Sequence, residues 1–175
     1  MTALMDQLEA IKAFVESGGE VLVLIAILTF VMWTLIFERL WYFKGTLKRD
    51  VQGALDTWEA RPERQSWNAH QIRYALISRV SEKVRSNMSM IETLVSLAPL
   101  FGLLGTVWGM IEVFNVLAIT GGGDAKSMAS GVSKATIPTM AGMVAALSGV
   151  FGNTLVTRIA ERENQLLADH LTMDH

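Results

Sequence analysis

The chain has 175 residues, 15 Lys/Arg against 17 Asp/Glu for a net charge of −2, 51% hydrophobic residues and a mean hydropathy of +0.34. Three uncharged segments account for that hydropathy, 21–37, 93–111 and 135–157, and at 1.5 Å of helical rise per residue each crosses most or all of a ~30 Å hydrocarbon core. A soluble domain of this size rarely buries three helices so long, so the composition excludes an ordinary soluble enzyme, and the absence of cysteine excludes disulfides and thiolate metal sites.

In chain order, residues 1–20 carry Leu4, Leu8, Ile11 and Val15 at intervals of four, three and four. That spacing predicts an amphipathic helix at the outer interface, which "SGGE" (17–20) turns into the membrane. This segment holds four acids and one lysine and no Ala-x-Ala site follows, so it reads as a retained segment and not a cleaved signal. Residues 21–40 form the first predicted transmembrane helix, anchored at its inner end by Trp41 and Tyr42. Residues 41–92 form the basic region: from Arg39 to Glu92 there are ten Lys/Arg against six acids, which makes this the cytoplasmic loop by the positive-inside rule. Within it Leu47, Val51, Leu55 and Trp58 make one helical stripe that Pro62 ends. After Ser66, a helix cap, Ile72, Leu76, Val80 and Val84 make another, which runs without a breaker into the second span.

The second transmembrane helix is predicted over 93–119, a periplasmic loop with the glycine-rich turn "TGGGD" over 120–131, the third helix over 132–157, and a cytoplasmic tail with Arg158 and Arg162 over 158–175. Three spans put the N-terminus outside and the tail inside. Spans two and three are expected to continue into the cytoplasm as long helices. The fold class is therefore all-α, an integral membrane protein with three transmembrane helices. Acids interleave with the bases of the loop and no nucleic-acid module is visible, so the loop reads as a solvated helix face and not as a nucleic-acid site.

The second span contains "PLFGLLGTVWGM" (99–110), although each glycine inside a helix costs about 1 kcal/mol relative to alanine. Gly102, Gly105, Gly109 and Thr106 share roughly one helix face. In the third span Pro138, Gly142, Ala145, Gly149 and Gly152 follow one another by three or four. Small residues permit close helix packing in lipid, so two such faces predict a tight bundle and self-association. Simple packing without any transport role accounts for the glycines equally well.

Thr106 in span two, with Thr136 and Thr139 in span three, either bonds backbone carbonyls or lines a wet path. Glu112, about 10 Å from the outer end of span two by helical rise, and Lys134, at the outer start of span three, are costly in lipid. They are expected to pair with each other or to face a cavity. The central turns of all three spans hold only apolar residues, small residues, Thr and Ser, so this chain alone makes a poor proton relay. If protons pass, a partner supplies the acid.

The segments "LAPLFGLLGTVWGMIEVF" (97–114) and "GVSKATIPTMAGMVAALSG" (131–149) resemble the ExbB/TolQ/MotA proton-channel family, ExbB above all, and the resemblance extends over nearly the whole chain. It implies a bacterial inner-membrane protein, a pentamer of such subunits around the helices of a smaller ExbD-like protein that carries a proton-binding aspartate. It also implies coupling of the proton motive force to a TonB-like protein that powers uptake of iron chelates through outer-membrane receptors. By position in the motif, Thr106 and Thr139 match the two family threonines beside that aspartate, and the glycine faces become pentamer packing and close approach to the central helices. Lys134 stands where ExbB and TolQ usually carry a glutamate, and Pro138 where the family more often has alanine, which marks a short, divergent branch. A TolQ-like role is the alternative, and a non-conducting oligomeric scaffold is another. A flagellar MotA role is disfavoured by the short cytoplasmic loop.

Other chemistry finds little support. His70, His170 and His175 are scattered in the loop and tail with poor metal-ligand spacing, and no nucleophile elbow, zinc motif, phosphate loop or nucleophile-base pair is visible. No cofactor, metal or catalytic residue is expected.

Overall fold

The computed structural model describes residues 2–63, 66–121 and 125–171, and its regular structure is entirely helical: α1 (Thr2–Lys44), α2 (Thr46–Glu59), α3 (Trp67–Arg85), α4 (Met88–Thr120) and α5 (Ala125–His170). Residues 122–124 of the glycine-rich turn and His175 lie outside the described residues, as do the side chains of Leu4, Leu8, Ile11 and Val15. Among the described residues three stretches are long and apolar enough to cross a membrane, within Gly19–Lys44, Trp67–Ile119 and Met128–His170.

Local chemistry explains where the helices bend and stop. α1 is two helices joined at Gly19, whose φ of 64° and ψ of −162° lie in a region open only to glycine. Gly121, at φ 71°, closes α4 and donates its N–H to the Leu117 carbonyl at 3.0 Å, a left-handed C-terminal cap. Ser66 opens α3 by accepting from the Ala69 N–H at 3.2 Å. The sequence predicts α3 running unbroken into the second span. The structure instead interrupts it at Ser86 and Asn87: Ser86 is extended (ψ 140°) and Asn87 left-handed (φ 62°). Asparagine tolerates that conformation better than most residues, which explains how a break arises without glycine or proline. α4 then restarts, with the Ile91 N–H on the Asn87 carbonyl at 3.1 Å.

The chain divides into two compact units. The first comprises Met1–Met32 with Thr93–Val150, the second Trp33–Glu92 with Phe151–His175. In the first, one face of α1 buries Val21, Ile25, Leu28 and Met32, spaced by four, three and four, against α4 and α5, where Ala98, Ala145 and Ala146 complete the core. In the second, Leu47, Ala54 and Trp58 of α2 are buried along with Ala69, Val80 and Val84 of α3 and Val156, Ala160 and Leu167 of α5. Arg73 of α3 there donates to the carbonyls of Ala168 (2.8 Å) and Leu171 (2.6 Å), supplying donors that the last turn of α5 lacks.

Candidate functional site

The site lies in the first unit, where α4 and α5 run antiparallel with almost no side chain between them. Going down α4 and up α5, Val113 meets Gly131, Gly109 meets Ala135, Gly105 meets Pro138, Gly102 meets Thr139, and Ala98 meets Gly142. A methyl group built on Gly109 would stand 2.7 Å from the Ala135 Cβ, and one on Gly102 would stand 3.0 Å from the Thr139 Cα, both far inside normal contact. A methyl group on Gly105 would overlap the Pro138 ring, which fills that space from the facing helix. Glycine on α4 therefore sets how near α5 comes, and the gain is dispersion between backbones that no larger residue permits.

That close approach creates the polar cluster. With no side chain on Gly102, the Thr139 hydroxyl reaches across the helix pair and donates to the Gly102 carbonyl at 2.9 Å. The Thr106 hydroxyl, one turn along α4, is hydrogen-bonded to Thr139 Oγ1 and stands 3.5 Å from the same carbonyl. Both threonines are half-buried. The trio is one backbone acceptor and two hydroxyls, each with one proton and two lone pairs. No member titrates near neutral pH. A hydroxyl can turn to donate to a carboxylate or to accept from a carboxylic acid, so the pair suits a titrating group in either protonation state. Pro138, one residue before Thr139, has no N–H and leaves the Lys134 carbonyl without its helical donor, a local weakening of α5 beside the cluster.

The remaining sequence-selected residues lie apart from the trio. Thr136 is exposed and donates to the Ser133 carbonyl of its own helix at 2.8 Å. Glu112 and Lys134 are both exposed, and among the described residues no ion pair joins them. Gly149 packs against Met32 and Val95, where an added methyl would lie 2.7 Å from Val95 Cγ2. Gly142 packs on the Ala98 carbonyl. His70 and His170 are exposed, and among the described residues no group of three or more His, Asp or Glu could hold a metal ion.

Sequence reasoning missed two things. The Gly102 carbonyl became the acceptor of the Thr139 hydroxyl only through the approach of α5, and a backbone group leaves no mark in a sequence. The second was the charged network of the other unit. Arg39, only 6% exposed, donates to the Lys83 carbonyl at 3.0 Å, chelates Glu38 at 2.7 and 2.8 Å, and lies 5.1 Å from the centre of the Tyr42 ring. Tyr42 donates to Asp50 at 2.7 Å and the Lys83 ammonium donates to the same carboxylate at 2.7 Å. The Lys83 and Tyr42 hydrogen bonds hold the Asp50 carboxyl below its ordinary range. An arginine at the end of an apolar run, three residues before a tyrosine, was the available signal.

Comparison with known proteins bears on this geometry. The model of the MotA/TolQ/ExbB proton channel family matches residues 44–168, a stretch that includes the glycine pairs and both threonines. A Synechocystis sp. biopolymer transport protein named ExbB-like 1 is 32% identical over 74% of this chain and 64% of its own length. TolQ of the Tol-Pal system of Pseudomonas aeruginosa is 32% identical over 55% of this chain and 40% of its own. The biopolymer transport protein ExbB of Xanthomonas campestris pv. campestris is 32% identical over 47% of this chain and 33% of its own. The chain thus spans between a third and just under two thirds of the length of these relatives.

Proposed function

The chain belongs to the MotA/TolQ/ExbB proton channel family, and from that premise we propose that it is the wall-forming subunit of an ExbB-type motor in a bacterial inner membrane. In this reading several copies, a pentamer by analogy with the family, surround the membrane helices of an ExbD-like partner. The N-terminus is periplasmic and the tail cytoplasmic. The assembly uses the proton motive force to energise a TonB-like protein and transport across the outer membrane.

The observation that carries the reading is the trio of Thr106, Thr139 and the Gly102 carbonyl. Within span two the carboxylate of Glu112 is six residues beyond Thr106, about 9 Å by helical rise and toward the outer end, so the proton-binding group beside the cluster is assigned to the partner. The hydroxyls hydrogen-bond that group both charged and neutral, and so do not trap it in either state. The partner's carboxylate takes a proton arriving from the periplasmic side beside the cluster and releases the same proton toward the cytoplasm. Glu112 and Lys134, exposed at the outer end of α4 and α5, face a cavity of the assembled pore or pair across copies. Large apolar side chains exposed on α4 and α5, among them Leu103, Trp108, Val144 and Phe151, supply the surfaces between copies and toward lipid.

The test is Thr139→Val, which keeps the volume and removes the hydroxyl. Proton flux through the complex reconstituted with its partner, and energised uptake in cells, are expected to fall by at least about tenfold, the loss of one hydrogen bond to a charged group. The oligomer should be unchanged by size-exclusion chromatography. Unchanged flux would remove the trio from the proton path, and a wild-type complex that carries no flux above background would return the chain to a non-conducting scaffold. The similarity to TolQ favours a second reading, in which the same device maintains outer-membrane integrity. Leakage of periplasmic protein with normal iron-chelate uptake in a deletion strain would select it.

A further inference from the structure

One exposed helical stripe lies outside the proton-channel reading. Phe37 (59% exposed) and Trp41 (82% exposed) point away from the second unit near the end of α1. Lys44 and Lys48, three and seven residues beyond Trp41, continue the spacing of one helical face and are exposed. Gly45 between them stays in the right-handed region, with its N–H on the Trp41 and Tyr42 carbonyls at 3.2 and 3.3 Å, so α2 takes over within one turn. By helical rise Lys44 stands about 4.5 Å beyond Trp41, and Lys48 follows in the first turn of α2.

The position of Lys44 matches a membrane boundary. A tryptophan at the edge of the hydrocarbon places the next ~5–8 Å in the headgroup layer, and lysine stems extend to meet it. The neighbouring acids are already bound, Glu38, itself exposed, to Arg39, and the more covered Asp50 to Lys83 and Tyr42. Lys44, Lys48 and Arg49 stay outward, and among the described residues Lys44 and Lys48 have no ion-pair partner.

We propose that Lys44 and Lys48, next to Trp41, form a binding site for the headgroup of an anionic phospholipid. The acyl chains lie along Phe37 and Trp41, the phosphate is held by the two ammonium groups, and charge complementarity favours an anionic over a zwitterionic lipid. The site depends on the membrane-spanning character of the chain and not on whether its assembly conducts protons. Failure of the Thr139 experiment would leave it untouched.

Native mass spectrometry of the full chain, released from mixed micelles holding equal phosphatidylglycerol and phosphatidylcholine of the same acyl chains, tests this. Phosphatidylglycerol is expected to be retained preferentially, with retention falling roughly fivefold per lysine in Lys44→Gln and Lys48→Gln. The Lys44→Arg, Lys48→Arg double variant should keep it, Arg79→Gln on α3 should not alter it, and raising salt should weaken the wild type in the same direction. The salt series needs no variant, so a misfolded double mutant leaves the test intact. Equal retention of the two lipids, indifference to the glutamine variants, or displacement by millimolar inorganic phosphate, which would make this a general anion site, each overturns the proposal.

Discussion

The two units are held together by opposite means. In the first, backbone meets backbone: glycine, alanine and proline let α4 and α5 touch, and the polar cluster there is uncharged. In the second, long side chains span the gaps, and a buried arginine, a tyrosine, an aspartate and a lysine lock α1, α2 and α3 through ion pairs and carbonyls. Backbone contact has no slack, since neither partner can rotate away. A side-chain network yields, but it answers to proton concentration and salt. The first unit should therefore fail sharply on small steric changes, and the second gradually on changes of charge.

The largest effect expected of that difference is at Gly142. Its added methyl would stand 2.5 Å from the Ala98 carbonyl oxygen and 3.0 Å from the Gly102 Cα, and both are backbone. Gly142→Ala is expected to cost about 3 kcal/mol, the upper end for overpacking, seen as a drop in the thermal midpoint of the detergent-solubilised protein. An unchanged midpoint would mean that α4 and α5 separate more easily than backbone contact implies. A smaller effect belongs to Asp50. Its folded carboxyl titrates below the unfolded one, so its contribution to stability is present above the unfolded value, near pH 4, and disappears as pH falls through the lower folded value. Asp50→Asn should therefore lower stability at neutral pH and flatten the acid limb of a midpoint-against-pH curve. A parallel curve would show that the network does not respond to protons. Smallest, and of opposite sign, is Gly53→Ala: no atom lies within 4 Å of the added methyl in α2, so helix propensity alone acts and stability should rise by about 0.5–1 kcal/mol. A loss at this position would mean that the α2 surface is covered in the working assembly.

How much of this was readable beforehand follows the same division. Helices were legible because uninterrupted apolar runs and four-residue repeats survive any tertiary arrangement, and the common face of Gly102, Gly105 and Gly109 follows from helical spacing alone. Which threonines meet was not legible. Thr136 and Thr139 are three apart on one helix, yet only Thr139 stands opposite Gly102, because the register between α4 and α5 is decided by where Pro138 finds room at Gly105. The break at Asn87 escaped for another reason: asparagine is merely permissive of a left-handed turn, so its presence does not announce one. The Arg39 network was hidden because charges at the end of an apolar run look solvated until a neighbouring helix covers them.

The bend at Gly19 has its own consequence. Nothing lies within 4 Å of where a side chain would project, so space is not what excludes other residues there; the backbone dihedrals alone do so. The demand is one of handedness. A mirror-image alanine, introduced by chemical ligation, should be accepted at residue 19, whereas its natural counterpart should drive the chain to straighten or to bend elsewhere. The direction in which the first eighteen residues leave the membrane helix thus depends on the chirality permitted at one unhindered carbon atom.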